Sequence, residues 1–496
     1  MSDREAKYSP PKGMCVTLKG EDMRNNHANN SNSFAEQKLH SMLLELGYPQ
    51  ESIELADGYT GSYMPDLIVY RPGIRHEPLA IFEVKSDRYE YKYTRDRVAE
   101  IGAKMRSLGL GCHAYLVIVA NDDFRYFDCT IGSEERLLQQ IPTYDVLENE
   151  ARSRAVYIEH LRLENFTLFR DSNFEFGKSI NLIIAENGFG KSTLLKVLFS
   201  EARYASDFSW NARPGAIVKE PYIERFLGVK GSALVTHGSK GRTQVEVGYG
   251  GSLKNKSVLA IEKDLVKYQD FPSFKNKIPT VVFVQSHELI TNYQFYSSIS
   301  NIFEDNMSKD GTILDTIHLL GLPRLKVIPK EYVKLSRIIE KEIGGSIEFD
   351  KKEGRFFCKV KGWKKDRLSI DMTAEGWRKL GQLLVLIRNG ALTPGSILFW
   401  DEPEANLNPK LIKVLVRLLV ELSKLGVQCF MSTHSLFLAN EVELQTAYEA
   451  IAKDVRYINL KAEGKSQCST SLSELLGVSL MDESMAQSDR YMGLDL

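Results

Sequence analysis

The chain has 496 residues, 43% hydrophobic and 26% charged, with a formal net charge of −1. That length holds two or three domains with separate cores, and the near-neutral balance excludes a globally basic nucleic-acid binder while leaving room for a local basic groove. No apolar stretch approaches the roughly 18 residues of a membrane span, Met1 to Tyr8 lack the apolar core of a signal peptide, and Cys15, Cys112, Cys129, Cys358, Cys429 and Cys468 show neither pairing nor metal-ligand spacing. The expectation is therefore a cytoplasmic protein with reduced thiols and no membrane contact.

Residues 1–32 read as a loose arm, because 21–33 are polar, asparagine-rich and without periodic hydrophobes. A helix is predicted from Ser33, which caps it with Glu36 in the third position. Phe34, Leu39, Met42, Leu43 and Leu46 recur at helical spacing, and Gly47 and Pro49 end it. Strands over 67–70 and 79–84, joined through Pro72 and Gly73, read as a hairpin. A helix over 94–108, an apolar strand over 114–119 and a short aromatic strand over 124–127 complete an α/β unit spanning 33–132. Charged residues 133–154 read as a helical connector.

A second unit starts with the alternating strand 157–163, and Phe166 and Phe176 lead to the apolar run Ile180-Asn181-Leu182-Ile183-Ile184. Ala185 to Thr193 then follow the phosphate-loop pattern G-x-x-x-x-G-K-[ST], with alanine in the first position. Asn187, Gly188, Gly190 and Thr193 shape the loop around phosphate oxygens, and Lys191 and Ser192 are placed for the β/γ-phosphates and Mg²⁺. The small Ala185 still permits the turn, with less freedom at positive φ. Residues 201–280 alternate loosely and read as an inserted β-rich arm, and helical patterning returns near 310. A second buried strand, 396–400, delivers Asp401 and Glu402 at its end. Asp401 can hold the metal with Ser192, and Glu402 can orient or deprotonate the attacking water. A third strand, 427–433, ends at His434, which can reach a γ-phosphate. Residues 456–496 read as a polar tail.

These elements in this order resemble the ABC-type ATPase heads of the SMC, RecF and OLD-like group over 155–455. The resemblance implies a D-loop at Glu404 to Pro409, a switch histidine at His434 and a Q-loop glutamine at Gln285. It also implies a signature loop in Thr373-Ala374-Glu375-Gly376, where Gly376 would contact nucleotide and alanine stands in place of the usual serine. Either Thr373 supplies the missing hydroxyl or that contact is absent, which leaves a slowly hydrolysing head open. In such heads ATP lies between two subunits, so a homodimer or higher homo-oligomer is implied.

Near the N-terminus, Asp66 begins one strand of the hairpin while Glu83 and Lys85 share a face at the end of the other. Two carboxylates so placed repel unless a divalent cation neutralises them, and Lys85 can position a water or stabilise charge in attack on a phosphodiester. Over 33–132 this resembles the PD-(D/E)xK nuclease superfamily, with Ile81 to Ser86 similar to nuclease domains of type I restriction subunits. The resemblance implies Glu36 as an auxiliary metal ligand or its support, and Mg²⁺, with Mn²⁺ as an alternative, at Asp66 and Glu83. Cys112-His113 has no second ligand pair, and the lysine-bearing stretches 230–256 and 351–365 read first as solvated surface.

The fold class expected is α/β, an N-terminal PD-(D/E)xK-type nuclease-like domain followed by a P-loop ABC-type ATPase head. The expected function is an ATP-regulated nuclease on nucleic acid, DNA before RNA, with OLD-like relatives implying anti-phage defence and DNA repair the biological alternative. The competing expectation is a sensor or scaffold ATPase holding a separate effector, its N-terminal domain docking without cleavage.

Overall fold

The computed structural model describes residues 29–55, 65–71, 74–86, 113–120, 123–129, 136–147, 156–208, 221–239, 241–250, 255–262, 265–270, 280–300, 311–325, 328, 330–360, 362 and 367–493. Helix α1 runs Asn29–Glu45 and turns Ala35, Leu39 and Leu43 into a core. It starts before the expected cap, so Ser33 lies inside it. No glycine or proline stands between Asn29 and Asn32, and nothing there stops the helix. It ends as expected at Gly47 (φ +84°), where the Tyr48 N–H reaches back to the Leu43 carbonyl at 3.0 Å.

Strands β1 (Ile53–Leu55), β2 (Leu67–Arg71), β3 (Ile74–Ser86), β4 (His113–Ala120), β5 (Asp123–Asp128) and β6 (Arg136–Leu138) form one sheet in that order. The β2/β3 pair is the expected antiparallel hairpin, and β3/β4 is the parallel pair. The turn at Pro72-Gly73, the predicted helix over 94–108 and Cys112 lie outside the described residues. The helical connector expected over 133–154 is corrected in part. Residues 136–138 pair with β5, and Ile141, Tyr144 and Leu147 are buried in the α1 core, because these apolar side chains find a half-covered sheet beside them.

Strands β7 (Tyr157–Phe166) and β8 (Phe169–Glu175) lead into β9 (Ile180–Ile184) and helix α2 (Lys191–Phe208). Next come β10 (Thr243–Gly250), β11 (Asn255–Glu262) and β12 (Leu265–Asp270). These three are no separate arm: the antiparallel order is β12-β11-β10-β7-β8. Their alternation was legible, but its inward face, Val245, Val247 and Tyr249, shares a core with Leu161 and Leu163 of β7, and only pairing along β7 completes that face.

The elements that build the rest of the ATPase-like unit include β13 (Val281–Val284), α3 (Gly311–Leu320), α4 (Lys330–Ile343), β14 (Gly345–Asp350), β15 (Arg355–Val360), β16 (Leu368–Ser369), α5 (Glu375–Arg388), β17 (Ile397–Asp401), α6 (Pro409–Lys424), β18 (Gln428–Thr433), α7 (Leu436–Tyr448), β19 (Arg456–Leu460), β20 (Ser466–Ser469) and α8 (Ser479–Met492). The central sheet has the order β13-β17-β18-β9-β19-β20, parallel except for β20. The expected tail is thus corrected: β19 lies directly beside β9, its Tyr457, Ile458 and Leu460 buried. Period-2 alternation divides the sheet between two cores. Ile180, Leu182 and Ile184 face α3 to α7, and Ile183 faces α2 and the antiparallel sheet. Among the described residues no helix is long and apolar enough to cross a membrane.

Candidate functional site

Three adjacent parallel strands, β9, β18 and β17, end at the same edge of the central sheet, where α/β proteins bind ligands. Their register sets Asp401 beside Ser432 and Thr433 beside Ile184, so the phosphate loop, the two carboxylates and His434 converge. Gly188 (φ +82°) and Gly190 (φ +89°) turn the loop through the left-handed region. At Gly190 a Cβ would also lie 2.8 Å from a Leu168 methyl. Ala185 is absent from the positive-φ residues, so the departure from glycine there costs nothing.

Lys191 opens α2 and is buried, with Nζ 3.0 Å from the Ala185 carbonyl, 3.1 Å from that of Glu186 and 3.5 Å from His434 Nδ1. Burial lowers its pKa, although Glu402, Asp401 and Glu404 pull the other way. Ser192 beside it is exposed, as are Asn187 and Gly188, and Thr193 is half-buried. Asp401 Oδ1 accepts from the Ser432 hydroxyl, whose oxygen accepts the Glu402 N–H at 3.0 Å. His434 Nε2 lies 3.0 Å from Glu402 Oε1. Glu404 accepts from the Thr433 hydroxyl (2.6 Å) and the His434 N–H (3.0 Å), and burial raises its pKa. A helix N-terminus, one ammonium, one exposed hydroxyl and carboxylates facing them fit a nucleoside triphosphate with a divalent cation.

The signature segment behaves differently. Ala374 precedes α5 without a side-chain cap, and Thr373 is buried with its hydroxyl donating to the Ile370 carbonyl at 2.7 Å. Thr373 therefore does not present the hydroxyl that serine would supply. Gly376 is buried on the D-loop: a Cβ there would lie 2.7 Å from Leu411 and 3.1 Å from Leu407. Gln285 is not brought to the phosphate loop. Its amide donates to the Thr312 and Thr316 hydroxyls (3.2 and 3.4 Å), because the end of β13 is covered by α3.

Sequence reasoning missed Lys379. It is 2% exposed, and its Nζ donates to three carbonyls, those of Ser286 (2.7 Å), Glu402 (3.0 Å) and Ala405 (3.0 Å). An ammonium has three donors, and all three are used. Burial lowers its pKa to about 8 against the pull of Glu404, Glu375, Glu402 and Asp401. This lysine ties α5 to the segment after β13, to Glu402 and to the D-loop. It does so at a strained point, since Glu402 has φ +46°. The signal was present: Lys379 stands one and two turns before the buried Leu383 and Leu386, a charge on an apolar face. Arg378 beside it pairs with Glu288 at 2.8 Å.

In the N-terminal sheet, Asp66, Glu83 and Lys85 do meet. Lys85 Nζ is 3.4 Å from Asp66 Oδ2 and in direct contact with Glu83 Oε1, and the Val84 N–H donates to Asp66 at 2.6 Å. Burial pulls the Lys85 pKa down, but Asp66 and Glu83 outweigh it and the pKa rises. Glu83 is 4% exposed, so this is no solvated strand end. Glu36 is not gathered with them: among the described residues no three His, Cys, Asp or Glu form a metal-ligating group, and the register of α1 turns Ala35 and Leu39 to the core. Two carboxylates nonetheless suit Mg²⁺, which keeps several waters.

Within the stretch 230–256, Tyr249 is buried and donates to the Glu201 carbonyl. In the basic stretch after 351, Lys359 pairs with Glu348 and Arg355 with Glu353.

Residues 160–353 match the model of an AAA domain, and residues 341–440 match one described as "AAA domain, putative AbiEii toxin, Type IV TA system". Both matches lie C-terminal to the first sheet, and the chain carries an ATPase domain of AAA type. No curated protein matches the chain at a significant level. Among solved structures, the SMC head domain from Thermotoga maritima aligns at 14% identity and TM-score 0.35, covering 63% of this chain and 98% of that one. An Smc head domain with an extended coiled coil bound to the C-terminal domain of ScpA, derived from Pyrococcus furiosus, aligns at 13% identity and TM-score 0.40, covering 66% and 100%. An SmcHead bound to the C-winged helix domain of ScpA aligns at 16% and 0.40, covering 63% and 97%.

Proposed function

We propose that this AAA-type ATPase is an ATP-regulated nuclease acting on nucleic acid, in which head-to-head pairing on ATP controls a metal-dependent phosphodiesterase at Asp66, Glu83 and Lys85. The observation that carries the reading is the meeting of those three side chains in the same chain as the gathered Lys191, Glu402 and His434. In the head, Lys191 exchanges its loop carbonyls for phosphate oxygens, Ser192 and Asp401 hold the cation, and Glu402 takes the proton of the attacking water with His434 beside it. In the N-terminal site, Asp66 and Glu83 hold a cation and Lys85 offsets negative charge that develops on the phosphorus oxygens. A bound Mg²⁺ supplies Lewis-acid charge at either site. ATP biases the head arrangement only through contacts that differ between the arrangements. The AbiEii wording of one matching domain model favours a defence or toxin–antitoxin setting.

A second reading is supported by the inward hydroxyl of Thr373: a slowly hydrolysing scaffold ATPase that recruits a separate effector. Plasmid and RNA cleavage with Mg²⁺ or Mn²⁺, with and without ATP, separates the two. The nuclease reading expects cleavage that Lys85→Ala abolishes without affecting ATP turnover. Glu402→Gln should instead lower ATP turnover by about 100-fold or more, an effect of the size expected for losing a water-activating group. No cleavage under any condition, with ATPase intact, moves the assignment to the scaffold.

A further inference from the structure

Helices α4 and α6 pack side by side and enclose a cleft of ≈ 440 Å³. Lys334, Arg337 and Lys341 line it from α4 and Arg417 from α6, with Glu342 among them, and Lys410 and Lys413 stand before Arg417 along α6. In both helices the spacing is three and four residues, which puts each trio on one face. All six are exposed. Lys334 pairs with Glu421, and Lys410 with Glu342, which also lines the cleft, while among the described residues Arg337, Lys341, Lys413 and Arg417 form no ion pair. Glu331, in the first turn of α4, is the other carboxylate on that face. In a chain with a net charge of −1 this is a local excess of cations.

The cleft floor offers only Ile338 and Val414 as apolar contact. Protein-binding patches are depleted in charge at their centre and enriched in aromatic side chains, and this surface is the reverse. Two rows of cations, each about one helical turn apart, instead match the regular negative charge of a phosphate backbone. We propose that the α4/α6 cleft is a sequence-independent binding site for the phosphate backbone of nucleic acid. The inference rests on the reading that the protein acts on nucleic acid, and it adds where the polymer sits. It also couples the polymer to the ATPase. Helix α6 begins at Pro409, directly after the D-loop, with Asn408 capping it through the Leu411 N–H at 3.0 Å, and the D-loop is held by Lys379. A polyanion bridging α4 and α6 therefore bears on the loop that follows Glu402.

The test uses the full chain and a fluorescent DNA duplex, read by anisotropy across a salt series. The charge-neutral triple variant Arg337→Gln, Lys341→Gln and Arg417→Gln should bind at least about 10-fold more weakly. Its slope of log K against log salt should be shallower by about 2 to 3, at roughly 0.9 for each phosphate no longer neutralised. Stimulation of ATP turnover by DNA should fall with it, while basal turnover stays. Arg337→Lys with Arg417→Lys keeps the charge and should bind like the wild type. Equal affinity and slope in wild type and triple variant would overturn the inference and leave the proposed function standing. So would loss of polyglutamate binding in the triple variant with DNA binding intact. A wild-type chain that binds no nucleic acid overturns both, whereas DNA binding without cleavage removes the nuclease reading alone.

Discussion

Replacing Lys379 by methionine keeps the aliphatic stem and removes the ammonium, so three carbonyls, of Ser286, Glu402 and Ala405, lose their donor together. A hydrogen bond to a charged group is worth about 1.5–3 kcal/mol, which puts the three at roughly 6 kcal/mol. Against this stands the net shift of the lysine from 10.5 to about 8, burial outweighing the pull of Glu404, Glu375, Glu402 and Asp401, about 3 kcal/mol against the charged form. The balance predicts that Lys379→Met lowers unfolding free energy by about 3 kcal/mol, measured by urea denaturation. It also releases the left-handed backbone of Glu402 (φ +46°), and even about 1.4 kcal/mol of lost positioning is tenfold in rate. ATP turnover should therefore fall by about tenfold or more. The pH dependence has a definite sign. The folded pKa lies below the unfolded value, so the unfolded chain holds more protons between pH 8 and 10.5, and the Lys379 contribution to stability rises with pH across that window. The stability gap between wild type and Lys379→Met should widen from pH 7.5 to pH 9.5 by about 2 kcal/mol. Lys379→Arg should restore part of the stability and less of the rate, since a planar fork cannot reproduce three converging bonds. Unchanged stability and turnover in Lys379→Met would refute the reasoning, leaving the lysine as passive filling.

Two further outcomes concern the framework. Glu201 is fully buried on α2, accepts from Tyr268 (2.9 Å) and Ser257 (3.0 Å), and burial raises its pKa from 4.5 to about 7. Because the folded value is the higher, its contribution is present below pH 4.5 and lost as pH rises through 7. Wild type should lose up to about 3 kcal/mol relative to Glu201→Gln across that window, read as the difference between their urea curves; parallel curves would contradict the burial argument. Gly381, within α5, faces β14 so closely that a Cβ would lie 1.8 Å from Ile347 Cδ1. Gly381→Ala should destabilise by about 1–2 kcal/mol despite the better helix propensity of alanine. In an Ile347→Val background, which removes that methyl, the same change should be neutral or favourable.

Much of the site was legible because it is local. The phosphate loop, the Asp401-Glu402 pair and His434 each sit at the end of a short apolar run. The structure places those runs in adjacent positions, β9, β17 and β18. Asp66, Glu83 and Lys85 were legible for the same reason, since a hairpin and a period of two suffice to bring them together. Gln285 misled because its place after a strand said nothing of which helix would cover it. The role of Thr373 stayed open in the sequence because the direction of a hydroxyl depends on the turn it closes.

The sequence by itself therefore determined the chemistry available at the edge of the central sheet and the presence of two carboxylates and a lysine near the N-terminus, since motif spacing is a property of a few contiguous residues. Only the tertiary structure decided membership. It drew the supposed arm onto β7, brought the supposed tail beside β9 as β19, and returned part of the connector to the first sheet, because an exposed strand edge is satisfied by whichever segment pairs with it. It also decided the fate of isolated charges. Lys379 stands in sequence as a charge on the apolar face of a helix, and becomes the clamp on Glu402 because three carbonyls from distant segments converge on its three donors. Arg337, Lys341 and Arg417 lie far apart in sequence, and meet in one cationic cleft because α4 and α6 lie side by side.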